Sequence, residues 1–293
     1  MNATMKHIDP HTKITSSGRR FPGLRAALNA YSFHLRLGGS KKASATMTLY
    51  HALAFCAANN IPAVDATAYF FPGYPDVPGD AALNAFKREA LRMGVCLSGT
   101  GIRNDFVTAD ANVRAEGVAL AKKWIEAAAR LGAPVLRVFA GAALPPDETA
   151  EGMKRLTDCL HQCAEYGSKH GVVIGVQNHG DFLQTADRCI DVVKRIDSPW
   201  LGLVVDTGNF KTPDPYADIA RVVPYAVNWQ IKESPLGIGN KQRTDIEKLL
   251  GIIHAGGYRG FVPIETIERE NPEYDLAAEL AWLLDAFENA QSA

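Results

Sequence analysis

The chain has 293 residues, of which 47% are hydrophobic and 22% charged, and its formal net charge is -1. Such a balance lacks the basic excess that phosphate binding demands, so it gives no reason to expect a nucleic-acid partner. No apolar run approaches the roughly 20 residues of a bilayer-crossing helix, and the length fits either two domains or a single α/β barrel of about 250 residues.

Residues 1–23 are polar, include Ser16-Ser-Gly-Arg-Arg20 and lack the apolar core of a signal peptide. They are expected to form a loosely draped N-terminal extension, with one domain over residues 24–293. The first strand is expected over Leu24–Tyr31, leading into Asn29-Ala-Tyr-Ser-Phe-His34. A Gly-Gly-Ser-Lys-Lys loop then precedes a helix over Thr46–Asn59, marked by apolar residues at helical spacing. Strand two is Ala63–Thr67. After it comes Tyr69-Phe-Phe-Pro-Gly-Tyr-Pro75, whose aromatic and proline content is loop chemistry, suited to a pocket lip or to a contact between copies of the chain.

A helix over Asp80–Met93 leads to strand three, Val95–Ser98, and to Gly99-Thr-Gly-Ile-Arg103. A long Ala-, Lys- and Glu-rich helix over Asp110–Leu131 follows. Strand four, Pro134–Phe139, carries Arg137 inside an apolar run. A buried guanidinium needs a partner, so Arg137 either points into a site or pairs with a carboxylate inside the fold. A helix over Thr149–His170 leads to strand five, Gly171-Val-Val-Ile-Gly-Val-Gln177, which stops abruptly in Asn178-His179-Gly180. Thr185 is placed to cap the next helix.

Strand six is Leu201–Asp206, followed by Thr-Gly-Asn209, and the Pro213-Asp-Pro215 loop precedes another helix. Strand seven lies in Ala226-Val-Asn-Trp-Gln-Ile-Lys-Glu233 and is followed by a loop at Gly237–Asn240 and a helix over Asp245–Ala255. Strand eight is Phe261–Glu265, and the last helix covers Tyr274–Asn289.

Eight strands alternating with helices imply a parallel sheet, and eight repeats in this length fit a closed (β/α)8 TIM barrel. A dinucleotide fold would place Gly-x-Gly-x-x-Gly after a first strand. Here the nearest match, Gly99-Thr-Gly101, lacks the third glycine and follows strand three. The five cysteines, an odd number that cannot all pair, point to a reducing compartment, so a cytoplasmic protein is expected. The pair Cys159 and Cys163, four apart on a helix, has a spacing that suits a metal but reads first as small buried thiols on an amphipathic helix.

Barrels carry their chemistry at the carboxyl ends of the strands. Strands five to eight end in Gln177, Asp206, Gln230 and Glu265, one oxygen donor each. That set suits a divalent cation such as Mg²⁺, Mn²⁺ or Co²⁺. On Gln177-Asn-His-Gly-Asp181, Asp206-Thr-Gly-Asn209, Asn228-Trp-Gln-Ile-Lys-Glu233 and Gly257-Tyr-Arg-Gly-Phe-Val-Pro-Ile-Glu265, the chain resembles the xylose isomerase-like barrels, sugar phosphate isomerases and epimerases. The resemblance implies a metal-assisted rearrangement of a small keto or aldo sugar, with metal ligands at Gln177, Asp206, Gln230 and Glu265. It also implies a substrate contact at Asn209. Two positions depart from the family pattern: Gln177 stands where a Glu is usual, and Gln230 where a His is usual.

An amide cannot serve as a general base near neutral pH. Glu265 is therefore the expected base, Lys232 either the group that protonates or stabilises an oxyanion or a partner of Glu233 or Asp206, and His179 an acid/base or hydroxyl partner. His34, Asp65 and Arg103 at the ends of strands one to three are expected to line the far side of the pocket with Arg137, and Asn178 to touch substrate. Arg103 points to an anionic or heavily hydroxylated ligand. A lyase, dehydratase or keto-glycoside-cleaving enzyme and a non-catalytic sugar-binding barrel are the competing readings. A DNA-repair endonuclease would need a multi-His metal site and a basic groove, neither visible here.

Overall fold

The eight expected strand segments become strands, and amphipathic segments between them become helices. The computed structural model describes residues 18–39, 44–179, 181–236, 242–269, 271 and 273–292; the lead-in up to residue 17, most of the loop after Gly39 and the 237–240 loop lie outside them. The strands are β1 Leu24–Asn29, β2 Ala63–Asp65, β3 Cys96–Gly101, β4 Val135–Phe139, β5 Val173–Gln177, β6 Leu201–Asp206, β7 Ala226–Gln230 and β8 Gly260–Ile264. The helices between and after them are α1 Leu49–Ala58, α2 Asp80–Arg92, α3 Ala111–Leu131, α4 Thr149–His170, α5 Ala186–Ile196, α6 Pro215–Val222, α7 Ile246–Ala255 and α8 Leu276–Gln291.

The side chains of Asp110, Thr185, Asp214, Asp245 and Asp275 accept from free backbone N–H groups at the starts of α3, α5, α6, α7 and α8. Gly132 and Gly171, with φ of 78° and 70°, close α3 and α4 in the left-handed conformation that glycine adopts without strain.

Every strand pair is parallel, and the neighbour order runs β8, β1, β2 and so on to β7. The ring closes just beyond β7. Ile231 donates its N–H to Pro263 O at 2.8 Å and accepts from the Glu265 N–H at 2.8 Å. The result is a single (β/α)8 barrel.

Several strand ends differ from the sequence expectation: β2 stops at Asp65 and β8 at Ile264, and two further differences have a visible cause. β1 stops at Asn29, because the Asn29 side chain accepts from the Tyr31 N–H at 2.9 Å and turns the chain into a 3-10 segment. β3 continues to Gly101, past the expected loop start, since Thr100 and Gly101 pair with Leu136 and Arg137 of β4, and Thr100 also donates to the carbonyl of Ala66, just after β2, at 2.7 Å.

Two register shifts aim the interior. Between β2 and β3 the pairing passes from Val64–Leu97 to Asp65–Gly99, leaving Ser98 as an extra residue. Between β6 and β7 it passes from Leu203–Ala226 to Val204–Asn228, leaving Val227 extra. An extra residue resets which face later side chains take. After it Asn228, Gln230 and Lys232 turn into the barrel. Val227 packs where Gly202 and Gly175 lack side chains: a Cβ on Gly202 would collide with it, and one on Gly175 would lie 2.5 Å from Val204.

Residues 18–23 are not loosely draped. Phe21 is buried, its N–H donates to the Gln291 side chain at 3.1 Å, and Arg20 N–H donates to Gln291 O at 2.9 Å. The aromatic loop is likewise packed down. Phe71 sits against Phe86 and Trp124, and Trp124 donates to Pro75 O at 3.1 Å. Cys56, Cys159, Cys163 and Cys189 are buried free thiols, and burial pushes Cys163 up to about 12. No helix among the described residues is long and apolar enough to cross a membrane.

Candidate active site

The carboxyl ends of the strands frame a cavity of about 440 Å³, within the usual range for small-molecule sites. One wall carries Tyr31, Tyr69, Arg103, Arg137 and Phe139, from the β1 to β4 side. The facing wall carries Gln177, Asp206, Gln230, Lys232 and Glu265, from β5 to β8, and His179, Asn209 and Ile267 complete the lining.

The second wall is a buried charge cluster. Lys232 is 3% exposed and Glu265 3%. Their side chains form a direct ion pair, and the same ammonium lies 3.4 Å from Asp206 Oδ2. Lys232 is thus held by Glu265 and Asp206, while Glu233 pairs with Arg269 at 2.9 Å. Thr207 and Thr244 fix the Lys232 backbone: its N–H donates to Thr207 Oγ1 at 2.9 Å, and its carbonyl accepts from Thr244 Oγ1 at 2.7 Å. Gln177 completes the cluster. Its Nε2 donates to Asp206 Oδ2 at 3.0 Å and to Gln230 Oε1 at 2.5 Å, while its Oε1 is buried without a partner. With the amide turned round, its oxygen would face a carboxylate, so the network fixes the orientation.

The first wall is cationic and aromatic. Arg137 points to the cavity rather than pairing with a carboxylate: it donates to Ile102 O at 2.5 Å and to the Tyr69 hydroxyl at 3.0 Å. Its guanidinium lies 4.0 Å from the Phe139 ring centre, and that of Arg103 lies 4.4 Å from the Tyr69 ring centre. Both rings present their negative faces to the cations. The cavity therefore runs from two guanidinium groups to a cluster of two carboxylates and one ammonium.

Three residues expected at the ligand sit elsewhere. Asp65 lies in the barrel interior outside the cavity lining, accepting from Asn228 Nδ2 at 3.0 Å. Burial raises its carboxyl to about 6, against the opposing pull of Arg137 and the Asn228 hydrogen bond. His34 is also outside the lining. It stacks on Tyr31 with ring centres 4.9 Å apart, its Nδ1 has no partner, and burial pulls its pKa down. Asn178 braces the Asp206 backbone instead, accepting from its N–H at 2.7 Å and donating to its carbonyl at 2.9 Å.

His179 is at the lip, with Nδ1 2.7 Å from Asp181 Oδ2 and its ring 4.6 Å from that of Phe139. Phe139 and Ile267 were not singled out in the sequence. Phe139 ends β4 just as Gln177 ends β5, so the strand-end rule finds it once aromatic residues are admitted.

The four strand-end oxygen residues expected to bind a metal converge, but of their carboxylate oxygens all except Glu265 Oε2 are engaged. Asp206 Oδ2 and Glu265 Oε1 face the Lys232 ammonium, Asp206 Oδ1 accepts from the Gly208 N–H at 3.1 Å, and Gln230 Oε1 accepts from Gln177. Gln177 Oε1 is buried with no partner, and it is a neutral amide oxygen. No group of three His, Cys, Asp or Glu side chains able to hold an ion occurs among the described residues. In this arrangement the set does not fit a divalent cation, which needs several free, negatively charged oxygens.

A sequence profile of the family described as the xylose isomerase-like TIM barrel matches residues 53–286. No curated protein sequence matches the chain. Among solved structures, D-psicose 3-epimerase from Clostridium cellulolyticum H10, determined with D-tagatose, is similar at a TM-score of 0.76 and 15% identity, over 92% of this chain and 100% of that one. The IolI protein with a bound zinc atom is similar at a TM-score of 0.74 and 14% identity, over 92% and 100% of the two chains. L-ribulose 3-epimerase gives 0.68 and 18%, over 91% and 95%. At these identities the likeness speaks for the fold; the profile match covers most of the chain, which belongs to the xylose isomerase-like TIM barrel family.

Proposed function

We propose that this member of the family is an isomerase or epimerase that moves a proton beside the carbonyl of a small keto or aldo sugar, with Glu265 as the general base. Family membership supports this, as do two similar structures, both of sugar 3-epimerases. The observation that carries it is the Glu265–Lys232 pair on the cavity wall. A carboxylate there can take a proton from a carbon acid, and the ammonium beside it can hold the oxygen of the resulting enediolate.

Gln177 narrows the mechanism. It stands where a second carboxylate would be needed for symmetric exchange on both faces of the sugar, and an amide has no useful proton affinity. A single base shuttling a proton between adjacent carbons on one face, as aldose–ketose isomerisation requires, is compatible with the site. The unpartnered Gln177 Oε1 is an acceptor for a substrate hydroxyl. Asn209 and His179, the latter oriented by Asp181, are proposed to contact other hydroxyls. Arg103 and Arg137 are proposed to take a carboxylate or phosphate on the sugar.

Mg²⁺, Mn²⁺ or Co²⁺ remains the family's expectation, and a zinc atom is named in the IolI structure. Because this chain's donors do not fit a metal as they stand, no step here passes through one. Elimination, giving a lyase or dehydratase, is favoured by the same single-base arrangement, since it begins with the same enediolate and then expels a leaving group.

Proton exchange in D₂O, followed by NMR over a panel of neutral and anionic keto and aldo sugars, tests the reading. The expected result is deuterium at the carbon beside the carbonyl, with an isomeric product, abolished in Glu265→Gln. Exchange with loss of a hydroxyl would make the enzyme a lyase. Binding without exchange for every sugar would leave a sugar-binding barrel.

A further inference from the structure

We propose that Lys232 is the resident cation of this site: its ammonium holds the position between Asp206 and Glu265 that a divalent metal would need, and the protein works without one. The inference concerns the charge of the cluster and stands whichever sugar the cavity takes.

Three observations carry it. The ammonium contacts both carboxylates of the strand-end set, so the groups with most attraction for a metal are already neutralised in part. The two carboxylates and one ammonium leave a local charge of -1, against -2 for the carboxylates alone. The other two members of the set are amides, and they bond to each other. Gln177 turns its NH₂, a group that repels a cation, toward Asp206 and Gln230. A metal entering here would have to displace a buried ammonium from two carboxylates and invert an amide. Each step leaves a desolvated charge or donor uncompensated.

The arrangement is also held from outside. Thr207 and Thr244 fix the Lys232 backbone, and Asn178 fixes that of Asp206. The ammonium is thus a positioned feature of the wall. As a fixed positive charge on the cavity surface, it supplies the stabilisation of a developing oxyanion that a metal would otherwise give.

Metal analysis, differential scanning calorimetry and Mn²⁺ titration test this without reference to turnover. For the wild-type chain we expect well below one equivalent of metal after purification. Its melting temperature should shift by less than 1 °C with either EDTA or 2 mM Mn²⁺. Lys232→Met, which keeps the stem and removes the charge, is expected to melt lower and to regain several degrees on addition of Mn²⁺. If Lys232→Met does not fold, Lys232→Gln is measured in the same way. One tightly held metal per wild-type chain, with loss of melting temperature in EDTA, would overturn the proposal. A folded Lys232 variant that remains indifferent to Mn²⁺ would overturn it as well.

Discussion

Asn228 on β7 and Asp65 on β2 meet inside the barrel, amide Nδ2 to carboxylate Oδ2, at 3.0 Å. Each follows a register shift in its part of the sheet, and Gly99 leaves them room: a Cβ there would lie 2.7 Å from Asp65 Oδ2 and 2.9 Å from Asn228 Nδ2. The pair is a polar floor beneath the cavity.

That floor makes stability depend on pH with a sign opposite to the usual carboxylate. Burial raises Asp65 from 3.8 to about 6, so the folded protein binds this proton more tightly than the unfolded chain. Its contribution is fully present below about pH 4, is lost as pH rises through 6 and is flat above. Asp65→Asn removes this loss. The difference in unfolding free energy between variant and wild type is expected to move in favour of the variant by about 2 kcal/mol between pH 4 and 6.5. A pH-independent difference in urea unfolding would contradict it.

Gln177→Glu tests the amide network. The change removes two donors and sets a carboxylate against Asp206. Without added metal at pH 7, a loss of about 2–4 kcal/mol is expected. Like charges raise the proton affinity of the pair, so part of the loss should be regained towards pH 5. Denaturant curves at both pH values check this, and equal stability of the two proteins at pH 7 would show that the network is slack.

Arg137→Met should separate anionic from neutral sugars. A rise in KM of about 10- to 100-fold is expected for a sugar carrying a carboxylate or phosphate, with little change in kcat. Neutral sugars should be affected less. Wild-type KM for the anionic substrate should also climb with salt, and that slope should flatten in the variant. Equal effects on both classes would reduce Arg137 to its contacts with Ile102 and Tyr69.

Gly202→Ala would place a Cβ against Val227 and 2.8 Å from Tyr225 O. A loss of about 1–3 kcal/mol is expected from overpacking. Val227→Ala should recover part of it in a double-mutant cycle, because it removes the colliding methyls. Additive effects would show that the contact with Tyr225 O dominates.

The barrel was legible because most of its strand residues are buried and strands such as β5 and β6 read as apolar runs, alternating with helices. The strand-end rule found Gln177, Asp206, Gln230, Lys232 and Glu265, since each is a polar residue closing an apolar run. It failed for Asp65 and His34, which also follow strands but stop short of the lining. Their depth depends on the register shift at Ser98 and on the Asn29 turn, and neither leaves a periodic trace. Which carboxylate Lys232 would choose was equally hidden. Glu233 is its neighbour in sequence, yet both lie past the end of β7, and Arg269 takes Glu233 instead.

Among the described residues, β7 and β8 are joined through backbone hydrogen bonds only at Ile231. The Lys232–Glu265 ion pair spans that same seam, one partner from each side. The hoop is therefore buckled by its own reactive groups. A ligand that draws the ammonium towards itself acts directly on the seam that closes the barrel.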